Sequence, residues 1–456
     1  MQEASIKAQS LSGFRDFLPE KMVVRQYVID TLRQVFERHG FEPLETPALE
    51  YAETLEGKYG EDEHLLYRFA HGDRNVGLRY DLTVPLARVV GQHAAKLTFP
   101  FKRYQIQPVW RAERPQKGRY REFYQCDVDI VGSSSPLADA EVISINYEGL
   151  RDLGFSNYYT QLNSRKLLTA IGLYAGAGEQ AAGIFRAIDK LPKIGAAGVL
   201  ETMAKYGIAD DVARRALDLA LLSKGRRDQA DDLKLLADLR QRFAAIPEGV
   251  AGVDELSAVV RILPHLLPDS AYAVDLTLAR GLNYYTGAVF ETVVVDGGVG
   301  SVTGGGRYDE LVGMFSGRNL PTVGTSFGLE RLIDIIEGRA GQQTRKTLSQ
   351  VFVSVFNEAS LPASLMLAGE LRAAGLNVEV AYDYQKGELG KQLKYAAARG
   401  IPLALILGPD EQAQDLVQLR TIAAEGGAKG EIAQQAVPRS EIAAALRARL
   451  NLRADP

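Results

Sequence analysis

Between Phe99 and Val131 two strand-like runs flank a charged loop that contains a glycine. On the first run Tyr104, Ile106, Pro108 and Trp110 alternate with Arg103, Gln105, Gln107 and Arg111. On the second, Tyr124, Cys126, Val128 and Ile130 alternate with Arg121, Phe123, Gln125, Asp127 and Asp129. Side chains on a strand point to opposite faces in turn, so each run carries one apolar face and one polar face. The segment reads as a long amphipathic hairpin. An arbitrary hairpin leaves such a polar face in water. Here the face mixes arginine, glutamine, aspartate and an aromatic ring, a set suited to recognition.

Charge composition narrows what could be recognised. The 456-residue chain has 53 Lys and Arg against 57 Asp and Glu, a net charge of −4. A generally basic coat for nucleic acid is excluded. Against that background Lys102, Arg103, Arg111, Arg114, Lys117, Arg119 and Arg121 cluster around one early acid, Glu113. Such clustering points to phosphate ligands. The phosphate-binding turns of P-loop and Rossmann proteins are absent, so a nucleotide would be held by other means.

The length suggests two or three domains, and 46% apolar with 24% charged residues is the mixture of a globular protein. No apolar run is long enough to cross a membrane. The opening residues lack the apolar core of a secretory signal. The one cysteine, Cys126, can close no internal disulfide and is read as a buried thiol. A cytoplasmic protein is expected. His39, His64, His71, His93 and His265 are scattered, without the spacing of a zinc site.

Residues 20–39 carry Met22, Val23, Tyr27, Leu32, Val35 and Phe36 at helical spacing, closed by Gly40. Residues 165–263 are rich in alanine and leucine and nearly continuous in helical pattern. β-Branched and glycine-rich sequence returns from Val274 to Phe327, as if a helical segment interrupted one β-rich domain. After the polar stretch 338–347, short apolar runs at 351–356, 378–382 and 403–407 alternate with helical stretches. Strands alternating with helices imply crossovers and a largely parallel sheet.

Two further segments stand out. In VGTSFGLERLIDII, Gly324 and Gly328 precede an apolar-periodic helix carrying Arg331, which could meet a polyphosphate. In DLTLARGLNYYTGAVFE, Arg280 and Gly281 precede Tyr284 and Tyr285, and GGVGSVTGGGRYDELVGMF follows. Its glycines could serve tight turns alone, or let the backbone approach a small ligand.

Taken together, these clusters resemble the class II aminoacyl-tRNA synthetases, and within them the histidyl-tRNA synthetase family. ETPALEY around Pro47 is similar to the dimer-forming motif 1, the hairpin to motif 2, and GTSFGLERL to motif 3. LARGLNYYTG and GGGRYDELV resemble the two histidine-specific signatures, and GFRDFLPE is typical of the family. The resemblance implies an α+β catalytic domain built on an antiparallel sheet with a helical insertion, plus a C-terminal α/β anticodon-binding domain. The expected boundaries are 1–165 and 266–340 for the catalytic core, 166–265 for the insertion and 348–456 for the anticodon domain.

The resemblance also implies roles. Arg111 holds the α-phosphate of ATP, Glu113 accepts from the adenine amino group, Phe123 stacks on the ring, and Arg331 covers its other face. Asp81, Thr83 and Gln125 hold the α-amino group of L-histidine. Asp129 binds the imidazole N–H, with Tyr285, Tyr308 and Tyr284 lining the pocket. Arg280 is the expected catalytic residue beside Arg111, stabilising the α-phosphate where other class II enzymes use a metal. Mg2+ is expected with the ATP phosphates, although no residue identifies a metal site. The implied partners are tRNA(His) and a second copy in a homodimer, with no membrane. Asp129 stands where many bacterial relatives have glutamate, and its shorter reach implies a differently shaped imidazole pocket. A regulatory paralogue of histidine biosynthesis and a catalytically inert tRNA-binding sensor share the fold. The intact ATP motifs and the C-terminal module favour the ligase over the paralogue, and the intact Arg280 and pocket favour it over the sensor.

Overall fold

The computed structural model describes residues 8–116, 118–224, 228–279, 284–295, 297–339, 346–384, 388–422 and 433–450. Residues 1–16 with 27–340 form one compact unit, and residues 17–26 with 341–456 a second.

In the first unit the chain begins with the main part of α1 (Pro19–Arg38), then β1 (Glu42–Pro43), β2 (Leu49–Tyr51), α2 (Ala52–Leu55), β3 (Arg68–His71), β4 (Arg74–Leu78) and α3 (Thr83–His93). The hairpin follows as β5 (Phe101–Trp110) and β6 (Glu122–Val131), then α4 (Pro136–Asp152) and β7 (Tyr158–Ser164). Six helices come next without an intervening strand: α5 (Arg165–Ala175), α6 (Ala181–Ile188), α7 (Leu191–Lys205), α8 (Asp210–Leu221), α9 (Gln229–Arg242) and α10 (Pro247–Ile262). The sheet resumes with β8 (Tyr272–Val274), β9 (Ala288–Val294) and β10 (Thr303–Arg307), then α11 (Gly313–Ser316), β11 (Thr322–Gly328) and α12 (Leu329–Gly338).

The main sheet has the order β1-β5-β6-β11-β10-β9-β7-β8. Its six central strands run antiparallel, and β1 and β8 join the two edges in parallel. Strands separated by the helical stretch thus lie side by side. A smaller sheet, β2-β4-β3, stands apart.

Local sequence explains the helix ends that matter here. Gly40 takes a positive φ of 72° just after α1, a conformation that glycine adopts without a Cβ penalty. Ser135 caps α4 by accepting from the Leu137 N–H, and Pro136 sits where a helix lacks an N–H partner anyway.

One face of the main sheet is apolar and covered. Cys126, Val128, Val323 and Phe327 are buried there, Cys126 outside any disulfide. Phe36 of α1 meets Phe327 at 5.8 Å between ring centroids. Gly149 of α4 lies so close that an added Cβ would come within 2.9 Å of the Phe327 ring.

The second unit holds β12 (Val351–Val353), α13 (Leu361–Ala373), β13 (Val378–Val380), α14 (Leu389–Ala398), β14 (Leu403–Ile406), α15 (Pro409–Ala413), β15 (Leu416–Thr421), β16 (Gln434–Pro438) and α16 (Ile442–Arg449). Strand alternation sorts its core into two layers. Val351, Val353, Leu403 and Leu405 pack with Leu367, Leu371, Ile442 and Leu446, whereas Phe352 and Ala404 pack with Ala396. The expectation of a largely parallel sheet needs correction. The three anticipated strands are parallel, but β15 and β16 extend the sheet antiparallel. Both lie where polar residues alternate with few apolar ones, which hides a half-buried strand from a search for apolar runs.

Truncating Phe327 to alanine should destabilise the first unit by about 3–5 kcal/mol, because α1 and α4 both close on that ring. The urea unfolding midpoint of that unit, followed by circular dichroism, measures it. A loss under about 1 kcal/mol would show that this face tolerates a void.

Candidate active site

The other face of the main sheet is polar and equally buried. Arg103 and Gln105 are 0% exposed and Asp127 and Asp129 3%. Water is therefore not what satisfies them, and each must find a protein partner or a ligand. The hairpin register places Arg103 opposite Asp129 and Gln105 opposite Asp127. On the next strand Gly324 lies opposite Asp129, Ser326 opposite Asp127 and Gly328 opposite Gln125. Gly306 and Gly304 continue the first two rows on β10.

Where side chains would stand over β10 and β11, glycines leave a hollow. A Cβ on Gly324 would fall 1.8 Å from Asp129 Oδ1, and one on Gly306 2.9 Å from the Tyr285 ring. The result is a cleft of about 660 Å³, lined among others by Thr83, Arg111, Phe123, Gln125, Asp127 and Arg331.

On the cleft floor Arg103 Nη2 lies 2.7 Å from Asp129 Oδ2. Its guanidinium also donates to Gln105 Oε1 at 3.2 Å and to the Leu82 carbonyl at 3.3 Å. The Tyr308 hydroxyl donates to Asp129 Oδ1. Asp81, 1% exposed, accepts from the Tyr59 hydroxyl at 3.2 Å, the Val84 N–H at 3.1 Å and the Tyr284 hydroxyl at 3.3 Å. Tyr284, Tyr285 and Tyr308 pack edge to face, with centroids 5.2 to 6.5 Å apart. Burial raises the Asp81 carboxyl above its ordinary value, opposed in part by the Arg111 charge. Burial also raises Asp129, with Arg103 and Tyr308 pulling it back. Asp127 is pushed up to about 7 by burial, against the pull of Arg103 and with Asp129 repelling.

At the mouth Arg111 donates its Nε to the Tyr80 carbonyl at 3.2 Å. Its guanidinium carbon lies 4.2 Å from the centroid of the Tyr80 ring and 5.0 Å from that of Phe123. The planar fork is thereby fixed and offers its remaining donors to an anion. Arg331 donates to the Ser301 carbonyl from the far side. Glu113 sits in the hairpin loop, 3.6 Å from Arg119.

That loop is held by the chain's start. Arg121 donates to the Glu113 and Ser12 carbonyls, and its own N–H to the Gly13 carbonyl at 3.0 Å. Gly13 has a φ of 86°, and an added Cβ would meet Arg121 at 2.8 Å. Arg15 stacks 3.2 Å over the Tyr120 ring.

The structure gathers Asp81, Thr83, Arg111, Glu113, Phe123, Gln125, Asp129, Tyr284, Tyr285, Tyr308 and Arg331 around this cleft. Arg280, Gly281 and Asn283 lie outside the described residues, as does Lys117. The basic cluster of the hairpin needs correction as a set of phosphate ligands. Lys102 pairs with Glu141, Arg103 with Asp129, and Arg121 holds the loop, which leaves Arg111, Arg114 and Arg119, and of these Arg111 and Arg119 line the cleft.

Sequence reasoning missed several positions. Glu330 accepts from the Tyr124 N–H at 3.3 Å and lines the cleft, and its apolar-helix setting gave no hint. Lys190 and Lys193, on the helical stretch, also reach its lining. Nothing in their local pattern marked them. Among the described residues no cluster of three His, Cys, Asp or Glu side chains is arranged to hold a metal ion.

A family model for histidyl-tRNA synthetase matches residues 13–332. The chain belongs to the histidyl-tRNA synthetase family. Residues 350–449 match a model of an anticodon binding domain. Proteins named histidine–tRNA ligase resemble the chain along most of its length. The one from Cytophaga hutchinsonii is 40% identical over 90% of this chain and 94% of its own. The one from Aeropyrum pernix is 40% identical over 94% of this chain and 95% of its own. The crystal structure of histidyl-tRNA synthetase from Nostoc sp. PCC 7120 superimposes with a TM-score of 0.86 at 34% identity, covering 98% of this chain and all 100% of that one. A Bacillus halodurans structure titled ATP phosphoribosyltransferase regulatory subunit/histidyl-tRNA synthetase shares the fold, with a TM-score of 0.72 at 23% identity.

The polar floor of this histidyl-tRNA synthetase family member has a pH signature. A carboxyl whose folded pKa is raised contributes stability in full below its unfolded value, near 3.8, and loses it as pH rises through the folded value, about 7 for Asp127. The ligand-free first unit should therefore lose stability between about pH 5 and pH 7.5. Asp127→Asn should flatten that loss. Urea midpoints at the two pH values measure it, and equal slopes in the two proteins would contradict it.

Proposed function

We propose that the chain is an ATP-dependent histidine–tRNA ligase. L-Histidine attacks the α-phosphorus of ATP, giving histidyl-adenylate and pyrophosphate. The 3′-terminal ribose of tRNA(His) then takes the activated carboxyl. The observation that carries this reading is the pairing of Arg111 with a buried acceptor floor in one cleft, inside a chain about 40% identical to histidine–tRNA ligases along its length. Phe123 offers its ring to adenine, Glu113 an acceptor for the adenine amino group, and Arg331 a second cationic face. Gln125 Oε1 is buried without a donor, which suits a substrate ammonium. Asp81 and Thr83 stand beside it. Positioning and fixed charge supply most of the rate.

Arg280 is assigned the α-phosphate on the resemblance. A guanidinium there works without proton transfer, so lysine should not replace it. Mg2+ would travel with the ATP phosphates, keeping most of its waters and needing only one or two carboxylates. Glu330 in the cleft would supply such a carboxylate. The metal would neutralise phosphate charge. The second unit, matched by the anticodon-binding model, would grip the anticodon of the tRNA. We place the protein in the cytoplasm on the strength of its lone buried thiol. No helix among the described residues is long and apolar enough to cross a membrane.

ATP–pyrophosphate exchange with each of the twenty amino acids tests the reading. Exchange should occur with histidine alone and fall ~100- to 1,000-fold in Arg280→Lys, with Michaelis constants little changed. Absence of exchange with histidine would overturn the ligase assignment. A folded Arg280→Lys at normal rate would overturn the arginine's role.

A homodimer is part of the same proposal. On the small sheet Tyr51 lies opposite Val76, and Val76 opposite Phe69. Tyr51, Phe69 and the neighbouring Leu49 are 53%, 47% and 46% exposed, an apolar row next to the segment similar to motif 1. Contiguous apolar rows of this kind mark protein interfaces. Sedimentation at micromolar concentration should give twice the chain mass, and Tyr51→Glu with Phe69→Glu should halve it. An active monomer in the unaltered protein would rule the dimer out.

A further inference from the structure

The chemistry proposed above gives no task to the segment GFRDFLPE near the start of the chain. Its first residues, Gly13, Phe14 and Arg15, lie in the first unit beside the loop that joins β5 to β6. That loop carries Arg111 and Glu113, and Gly118, Arg119 and Tyr120 of the same loop line the cleft with them. Backbone hydrogen bonds close it between Arg111 and Arg121 and between Gln116 and Arg119. Such local bonds fix the shape of a loop. They leave its tilt against the cleft to other contacts.

The chain's start makes those contacts. Arg121, seated on the Ser12 and Gly13 carbonyls, holds the end of the loop. Arg15 joins it to the opposite wall. Its guanidinium carbon lies 3.2 Å from the centroid of the Tyr120 ring, and its Nη2 lies 3.7 Å from Glu330 Oε1 on α12. The Glu330 side chain is 5% exposed and also accepts from the Tyr124 N–H of β6 at 3.3 Å. Tyr120 and Glu330 both line the cleft, and Glu330 precedes Arg331 in the first turn of α12. A guanidinium presents a flat face to a ring and N–H groups at its edge to a carboxylate, so one arginine can serve both partners at once.

We propose that Arg15 is a positioning residue for ATP: it sets the hairpin loop against α12, so that Phe123 and Arg331 stand ready for the two faces of the adenine. The proposal rests on the ATP reading of the cleft and deepens it. Arg15 acts through Tyr120 and Glu330. A loop without this bridge must be ordered each time ATP binds, and that cost appears in the affinity for ATP. The groups proposed for the α-amino nitrogen of histidine stand elsewhere, Asp81 and Thr83 at the start of α3 and Gln125 on β6, so histidine binding should depend on the bridge little.

The structural alternative is that Arg15 only docks the chain's start, so that its loss lowers stability and leaves ligand binding unchanged. Equilibrium dialysis against ATP alone, and ATP–pyrophosphate exchange with ATP or histidine varied, separate the two. Arg15→Ala should weaken ATP binding about tenfold and raise the KM for ATP to match, while the KM for histidine moves less than about twofold. Arg15→Lys keeps the charge without the planar fork and should recover only part of the loss. Added to Tyr120→Leu, which already breaks the bridge, Arg15→Ala should cost less than about threefold more in ATP affinity. Should Arg15→Ala fail to fold, Arg15→Lys and Tyr120→Leu carry the same comparison. Unchanged ATP affinity in the folded variants, a KM for histidine rising in proportion to that for ATP, or penalties that simply multiply in the double variant would overturn the proposal. An unaltered protein that binds no ATP would strike the ATP reading of the cleft instead. One that binds ATP in an Arg15-dependent way without exchanging in the presence of histidine would strike the ligase reading and uphold the bridge.

Discussion

The buried ion pair between Arg103 and Asp129 is the constraint on which the catalytic sheet depends. The side chains of its partners are 0% and 4% exposed on adjacent strands, and their register is the register of the whole hairpin. Two charges removed from water are tolerated only when geometry and further hydrogen bonds compensate the lost hydration. Gln105, the Leu82 carbonyl and Tyr308 supply them. A slip of one residue would turn these groups toward the apolar layer that holds Phe36 and Phe327. The pair therefore selects one alignment of β5 and β6, and that alignment places Phe123, Gln125 and Asp127 in a line along the cleft.

Space for a ligand comes from what is missing. Gly306 and Gly324 sit in the same cross-strand row as Asp129, and any side chain at Gly324 would collide with that carboxylate. The same substitution that filled the hollow would break the ion pair beneath it. Gly306 and Gly324 thus serve close approach on the strands, whereas Gly298 of the same glycine-rich segment has a φ of 66° and fits the tight-turn reading.

Much of this was legible in the sequence because alternation survives burial. The two faces of β5 and β6 could be written down from their residues, and the helical stretch from α5 to α10 announced itself by pattern. The meaning of the polar face was not legible. Arg103 reads as one more cation for phosphate until Asp129 is known to stand across from it, because pairing between strands about 25 residues apart is a tertiary fact. Glu330 and Arg15 were hidden for the same reason, each taking its role from a distant segment. The antiparallel strands of the second unit escaped because their short sequences, LVQLRT and QQAVP, mix polar with apolar residues and form no continuous apolar run.

Recognition of a small polar ring is a harder problem than holding ATP. Phosphates and adenine offer charge and a broad π-face, which Arg111, Arg331 and Phe123 can meet with tolerance for position. A side chain of five ring atoms offers a single hydrophobic increment and one or two N–H groups. Hydrophobic fit alone separates such rings from their isosteres by only ~10- to 200-fold. A buried acceptor that stays unsatisfied with the wrong ring raises the ratio by orders of magnitude, because the penalty falls on every competitor that lacks the donor. That penalty requires the acceptor to be rigid. An oxygen free to swing toward Arg103 or to water would satisfy itself and discriminate nothing. On the cleft floor the Arg103–Asp129 pair and the hydrogen bonds around it hold the strands that carry such acceptors in one register.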